Sequence, residues 1–381
     1  MKIFNFDHKR LSILIGLLMG VVLLNFILSD KDHNIRYEEF ALDKNTQTSK
    51  ASVKNKTIHC SDLKDLDLCI KGHEADGQKR SVIIWLGNSQ LHAINQYQLG
   101  DETAASQIYK ALDEYGYHTI TLSQANANLQ EHYLLFAYLL DKFPIKTLVL
   151  PIVFDDMRED EIRPNIKNIL KDKSFHKKID KTLTGKNLIS RFIDKDLAGS
   201  NINVLQNTNQ NNFENIIDEK LSKIWPMWSN RDAIRNKLFS KLYLLRNYVL
   251  GIKATTTRKM IKGRYIKNKI AYQDILNLAK ENEIEVATYI TPIRNDIKIP
   301  YKISEYKIFK KEIEDIAKNY KTYFTSLENL VPSEFWGTKA STSLKEEDEV
   351  DFMHFQAEGH RLLAEAIFLS ISKILQLTKK P

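Results

Sequence analysis

Apolar positions along the chain follow two rhythms. Ser81–Leu86 reads SVIIWL, an unbroken run rich in branched residues. Such a run predicts a strand buried on both faces. His118–Leu122, HTITL, and Lys146–Val153, KTLVLPIV, predict two more. Glu283–Thr291, EIEVATYIT, predicts a fourth, and Lys321–Leu327 a short fifth. Helical spacing fills the intervals at Thr103–Glu114, Gln130–Asp141 and Tyr272–Glu281, and an amphipathic stretch, Glu358–Leu377, closes the chain. Strands alternating with helices predict a parallel sheet covered by helices on both faces. Chemistry in such sheets sits just beyond the carboxyl ends of the strands. The residues after Leu86, Leu122, Val153 and Thr291 are therefore the first candidates.

The rhythm breaks twice. Residues 157–282 are rich in Lys and Asn and read as a helical insertion, with a helix expected at Asp232–Val249 and an Asn/Gln-rich patch at Asn201–Asn215. Within it Lys253, Arg258, Lys259, Lys262, Arg264, Lys267 and Lys269 form a basic run with no acid among them. That run reads either as a surface for anionic lipid headgroups or an anionic envelope polymer, or as a solvated helical face. The second break is Leu11–Ser29, 19 residues without a charge. About 20 helical residues cross a bilayer core. Lys2, Lys9 and Arg10 precede the run, so residues 1–10 are expected in the cytoplasm and the bulk of the chain outside it. A cleaved signal peptide, for which the run is long, and a buried core helix are the other readings. Residues 30–78 then form a polar spacer carrying Cys60 and Cys69. A close pair in an exported chain can form a disulfide, the alternative being two free thiols. The α/β domain is expected over 79–156 and 283–381.

Composition narrows the class. Of 381 residues 43% are hydrophobic and 27% charged, enough to bury a core and too apolar for a disordered chain. Thirteen Gly and eight Pro exclude collagen-like architecture. The formal net charge of +8 suits an anionic surface or polymer. No zinc-ligand spacing and no RNA-reading aromatic signature points to nucleic acid.

Two short motifs can carry chemistry. Gly87-Asn88-Ser89 follows the first strand, where Gly permits a sharp turn and a Ser opens the next segment. A serine nucleophile needs a base, and the base needs an orienting group. Asp351-Phe352-Met353-His354 supplies both at a spacing of three, from one loop or first helical turn. Ser89 could instead cap a helix, and His354 could be a packed histidine. Arg294, after the fourth strand, could bind an acidic substrate group or pair with a surface acid. Trp85 and Trp336 read as packing residues.

In this placement the chain resembles the SGNH/GDSL hydrolase superfamily, over roughly 79–156 and 283–377. The resemblance implies a flavodoxin-like three-layer α/β/α sandwich, with Ser89 as nucleophile, His354 as base and Asp351 as its orienting partner. It implies no metal or organic cofactor. Two blocks depart from the family pattern. Ser123–Asn128 follows the second strand without the expected Gly. Val153-Phe154-Asp155-Asp156 places Asp155 where the family has an oxyanion-binding Asn, and an ionised carboxylate cannot donate a hydrogen bond. Asn126 or Asn128 is the candidate substitute donor. The anchored layout is similar to proteins of teichoic acid D-alanyl transfer and alginate O-acetylation. It implies a serine-dependent acyltransferase or esterase acting on O-acyl groups of a cell-envelope glycan or anionic polymer. A second reading is a non-catalytic scaffold serving a membrane-bound O-acyltransferase. A third is a membrane-tethered lipase.

Overall fold

The computed structural model describes residues 12–13, 15–16, 19–20, 42, 45–49, 51–60, 63–75, 80–194, 220, 231–344 and 347–377. The apolar run Leu11–Ser29 and the Asn201–Asn215 patch lie largely or wholly outside them. Among the described residues no helix is long and apolar enough to cross a membrane. The chain divides into two compact units. One comprises Asp43–Val204, Lys253–Ala340 and Glu347–Pro381, the other Met1–Leu42, Leu205–Ile252 and Ser341–Glu346. In the latter, the helix Arg231–Val249 leaves Phe239, Leu242, Leu245 and Tyr248 exposed.

The larger unit is built on a parallel sheet. Its strands are β1 (His59–Cys60), β2 (Val82–Gly87), β3 (His118–Ser123), β4 (Ile145–Ile152), β5 (Glu285–Ile290) and β6 (Tyr323–Ser326). Their spatial order is β6-β5-β4-β2-β3-β1, every neighbour parallel. The central strand β2 explains its own continuous apolar run. Val82, Ile84 and Leu86 enter one core and Ile83 and Trp85 the opposite one, all fully buried. The first core is lined by α1 (Leu63–Glu74), α3 (Leu129–Leu139), α4 (Lys262–Glu281) and α5 (Ile303–Asn319). The second is lined by α2 (Ala104–Asp113) and α6 (Ala357–Leu375). This is a three-layer α/β/α arrangement. Trp85 donates to the Tyr289 hydroxyl and Trp336 to the Val331 carbonyl, so both indoles pack with their polar edge satisfied.

Three elements differ from expectation. First, the unit begins before Lys79. Cys60 and Cys69 are joined, tying edge strand β1 to α1, so both elements belong to the α/β unit. Second, α4 starts at Lys262 rather than Tyr272 and packs on α3. Its buried Asn268 donates to the Met157 and Glu159 carbonyls and accepts from the Leu129 N–H. A polar residue at a core position hides this turn from a hydrophobic pattern. The segment is a crossover helix of the sheet, and 157–194 likewise belongs to the α/β unit. Third, the Asp351–His354 motif lies on a strand. β7 (Trp336–Lys339) and β8 (Glu349–Phe355) form an antiparallel hairpin immediately before α6.

Candidate active site

The loop after β2 is shaped by close packing. A Cβ on Gly87 would come within 2.2 Å of Leu91 Cδ1, so any larger residue would have to displace the buried Leu91 side chain. Asn88 is the N-cap of a single 3₁₀ turn, Ser89–Leu91, its side chain accepting from the Gln90 N–H. Ser89 is therefore the first residue of the turn and not its cap. Its hydroxyl is left to donate to His354 Nε2 at 2.8 Å.

His354 is held in turn. Its Nδ1–H donates to Asp351 Oδ2 at 2.8 Å. The other Asp351 oxygen accepts from the Met353 and His354 N–H groups, at 2.9 and 3.0 Å. Asp351 is 2% exposed. Burial by itself would raise its carboxyl, yet the charge and hydrogen bond of His354 and the two N–H groups hold it below the ordinary range. An ionised carboxylate only accepts, so it keeps the imidazole proton on Nδ1 and leaves Nε2 bare toward Ser89. Ser89 and His354, 265 residues apart, thus meet in one hydrogen-bonded chain.

Two side chains that the motif reading missed fasten the halves together. Gln90 Nε2 donates to the Pro292 and Met353 carbonyls, both at 2.9 Å. Asn95 Nδ2 donates to the Thr338 carbonyl at 2.8 Å and lies 3.4 Å from Asp351 Oδ2. A Cβ on Gly337 would sit 2.1 Å from Asn95 Oδ1, which explains the glycine in β7. The sequence offers no signal for either amide beyond its nearness to Ser89.

The other site candidates go elsewhere. Asp155, read as an oxyanion-site residue, turns its carboxylate to Arg158, Arg258 and the Tyr301 hydroxyl. Both of its oxygens are engaged. The carboxylate that meets the Ser89 loop is Asp156, which accepts from Asn88 Nδ2 at 2.8 Å. Burial pushes the Asp156 carboxyl well above its usual range, against the opposing effect of that hydrogen bond. Asn126, the candidate donor, is exposed in a left-handed turn with φ of 54°. Asn128 caps α3 in a reciprocal box with Glu131 and donates to the Glu161 carbonyl. Arg294 is clamped by Asp296 through two bonds and by the Gly337 carbonyl, so all three of its nitrogens are engaged within the protein. The basic run is likewise partly engaged, Arg258 with Asp155, Lys267 with Asp160 and Lys269 with Glu312.

No protein-family model matches the sequence, and no curated protein sequence matches it. Solved structures with a related outline include the acetylxylan esterase of Geobacillus stearothermophilus, at 9% identity, 77% of this chain and 96% of that one, TM-score 0.34. An assigned acylhydrolase of Bacteroides fragilis matches at 11% identity, 79% and 94% coverage, TM-score 0.33. Likeness this distant leaves activity to be argued from the residues themselves.

Proposed function

We propose that the chain is a serine-dependent esterase or acyltransferase of the SGNH type. The observation that carries the proposal is the chain Ser89–His354–Asp351, with both links at 2.8 Å and the imidazole tautomer set by a buried carboxylate. In this reading Ser89 Oγ attacks the acyl carbonyl while His354 Nε2 takes its proton. The tetrahedral oxyanion collapses, His354 returns the proton to the departing alkoxide, and an acyl-enzyme remains. Water or a sugar hydroxyl then attacks, giving its proton to His354, which returns it to Ser89 Oγ as the ester bond to the enzyme breaks. The chemistry needs no metal or organic cofactor.

The setting we infer is a membrane-anchored, extracytoplasmic protein acting on O-acyl groups of an envelope glycan or anionic polymer. Its support is the charge-free run Leu11–Ser29 behind three basic residues, and the Cys60–Cys69 disulfide, which suits an oxidising compartment. One observation favours the scaffold reading. The Gln124 N–H, at the end of β3, already donates to the Gly87 carbonyl, and Asp155 is ion-paired, so two expected oxyanion donors are missing.

The deciding test is labelling of the full chain with a fluorophosphonate probe, alongside turnover of p-nitrophenyl acetate. The esterase reading expects label on Ser89 and turnover abolished in Ser89→Ala. Folded wild-type protein with neither label nor turnover would establish the scaffold instead.

A further inference from the structure

The main-chain donors around the nucleophile are nearly exhausted. The Gln90 N–H goes to Asn88 Oδ1, Leu91 N–H to the Asn88 carbonyl, His92 N–H to the Ser89 carbonyl and Gln124 N–H to the Gly87 carbonyl. Among the described residues the Ser89 N–H has no partner and is the donor nearest the attacking oxygen. One donor is a poor oxyanion hole.

His92 lies three residues after Ser89 across the 3₁₀ turn. Side chains at i and i+3 of such a turn eclipse, so its ring rises on the side of the turn that carries Ser89. The half-buried ring bonds Ser123 Oγ through Nδ1 at 2.7 Å, and the same hydroxyl bonds His59 Nε2 at 2.5 Å. Among the described residues His92 Nε2 has no hydrogen-bond partner, and the atom is not closed off from solvent. Burial, then the neighbouring His59, His354 and His360, push its titration well below the usual range. The ring is neutral near pH 7 and carries one proton.

Two histidines share the single Ser123 proton. When His59 Nε2–H donates to Ser123, the Ser123 O–H donates to His92 Nδ1, and the His92 proton sits on Nε2. We propose that His92, fixed in this tautomer by the relay from His59 through Ser123, donates its Nε2–H to the oxyanion and replaces the missing donor. A neutral imidazole does this without competing for the Ser89 proton. The proposal rests on the esterase reading and explains how a site lacking the expected Gly and Asn can still turn over.

The test compares His92→Phe, which keeps the ring's bulk without a donor, with His92→Gln, whose amide reaches the Nε2 position. With p-nitrophenyl acetate, His92→Phe is expected to lose about a hundredfold in kcat with KM little changed. His92→Gln should recover most of that loss. Imidazole ¹⁵N NMR of wild type should place the His92 proton on Nε2. Unchanged kcat in His92→Phe, equal losses in both variants, or a proton on Nδ1 would each overturn the proposal while Ser89 labelling and turnover keep the esterase reading intact. Absence of both label and turnover in wild type would remove the esterase reading, and His92's role with it.

Discussion

At the scale of single residues, adjacent carboxylates have opposite fates. Asp155 is an ion-paired group with 17% side-chain exposure, held by Arg158 and Arg258. Asp155→Asn is expected to leave p-nitrophenyl acetate turnover unchanged and to cost about 1 kcal/mol in urea denaturation, since the pair is partly solvated. A tenfold rise in turnover would show that Asp155 opposes the oxyanion after all. Asp156 is buried with its pKa raised from 3.8. A carboxyl raised in the folded state contributes stability while protonated, and that stability is lost as pH rises from the unfolded value through the folded one. An Asn at 156 still accepts from Asn88 and is never charged. Asp156→Asn should therefore match wild type in Tm near pH 4. It should become progressively more stable than wild type as pH rises, reaching a plateau above the folded pKa. Thermal melts across that range check it, and a Tm gap independent of pH would contradict it.

At the scale of elements, the β1 edge strand is the least self-sufficient part of the sheet. Among the described residues it pairs with β3 through two, His59 and Cys60, and the Cys60–Cys69 bond holds it to α1 across nine residues of sequence. Closing a loop of that size contributes about 2–3 kcal/mol in the chain-entropy account. Replacing both cysteines by Ser should lower the urea midpoint correspondingly. It should also reduce esterase kcat, because His59 neighbours Cys60 and anchors Ser123. Loss of stability with kcat unchanged would separate the strand from the relay. The β7–β8 hairpin is the opposite case, fastened at several points by Asn95, Gln90 and Arg294. That fastening holds the Asp351–His354 pair against the nucleophile loop.

At the scale of the whole molecule, two apolar cores lie on opposite faces of one sheet, and the candidate site stands at the carboxyl ends of its strands. The N-terminal run predicts that everything beyond residue 30 is outside the cytoplasm. Both native cysteines are bonded, so Asn45→Cys supplies a single reporter thiol. An impermeant maleimide should label it from outside intact cells. Labelling only after the cytoplasm is opened would reverse the topology.

What the sequence determined by itself was whatever leaves a local mark. Strands covered on both faces favour runs of apolar and β-branched residues, so β2 to β5 could be placed within a few residues, and the partly buried β6 as a short fifth. A sharp turn with a serine and an Asp-x-x-His pair are contiguous, so the Ser89, Asp351 and His354 candidates could be named before their contact was visible. The tertiary structure alone decided where polar side chains point. Asp155 turns to an arginine 103 residues away. Asn268 makes a polar turn of α4 into core, and Ser123 joins His59 of β1 to His92 beyond the nucleophile turn. A hydrogen bond is set by direction and distance between groups remote in the chain, and no periodicity along the chain encodes that.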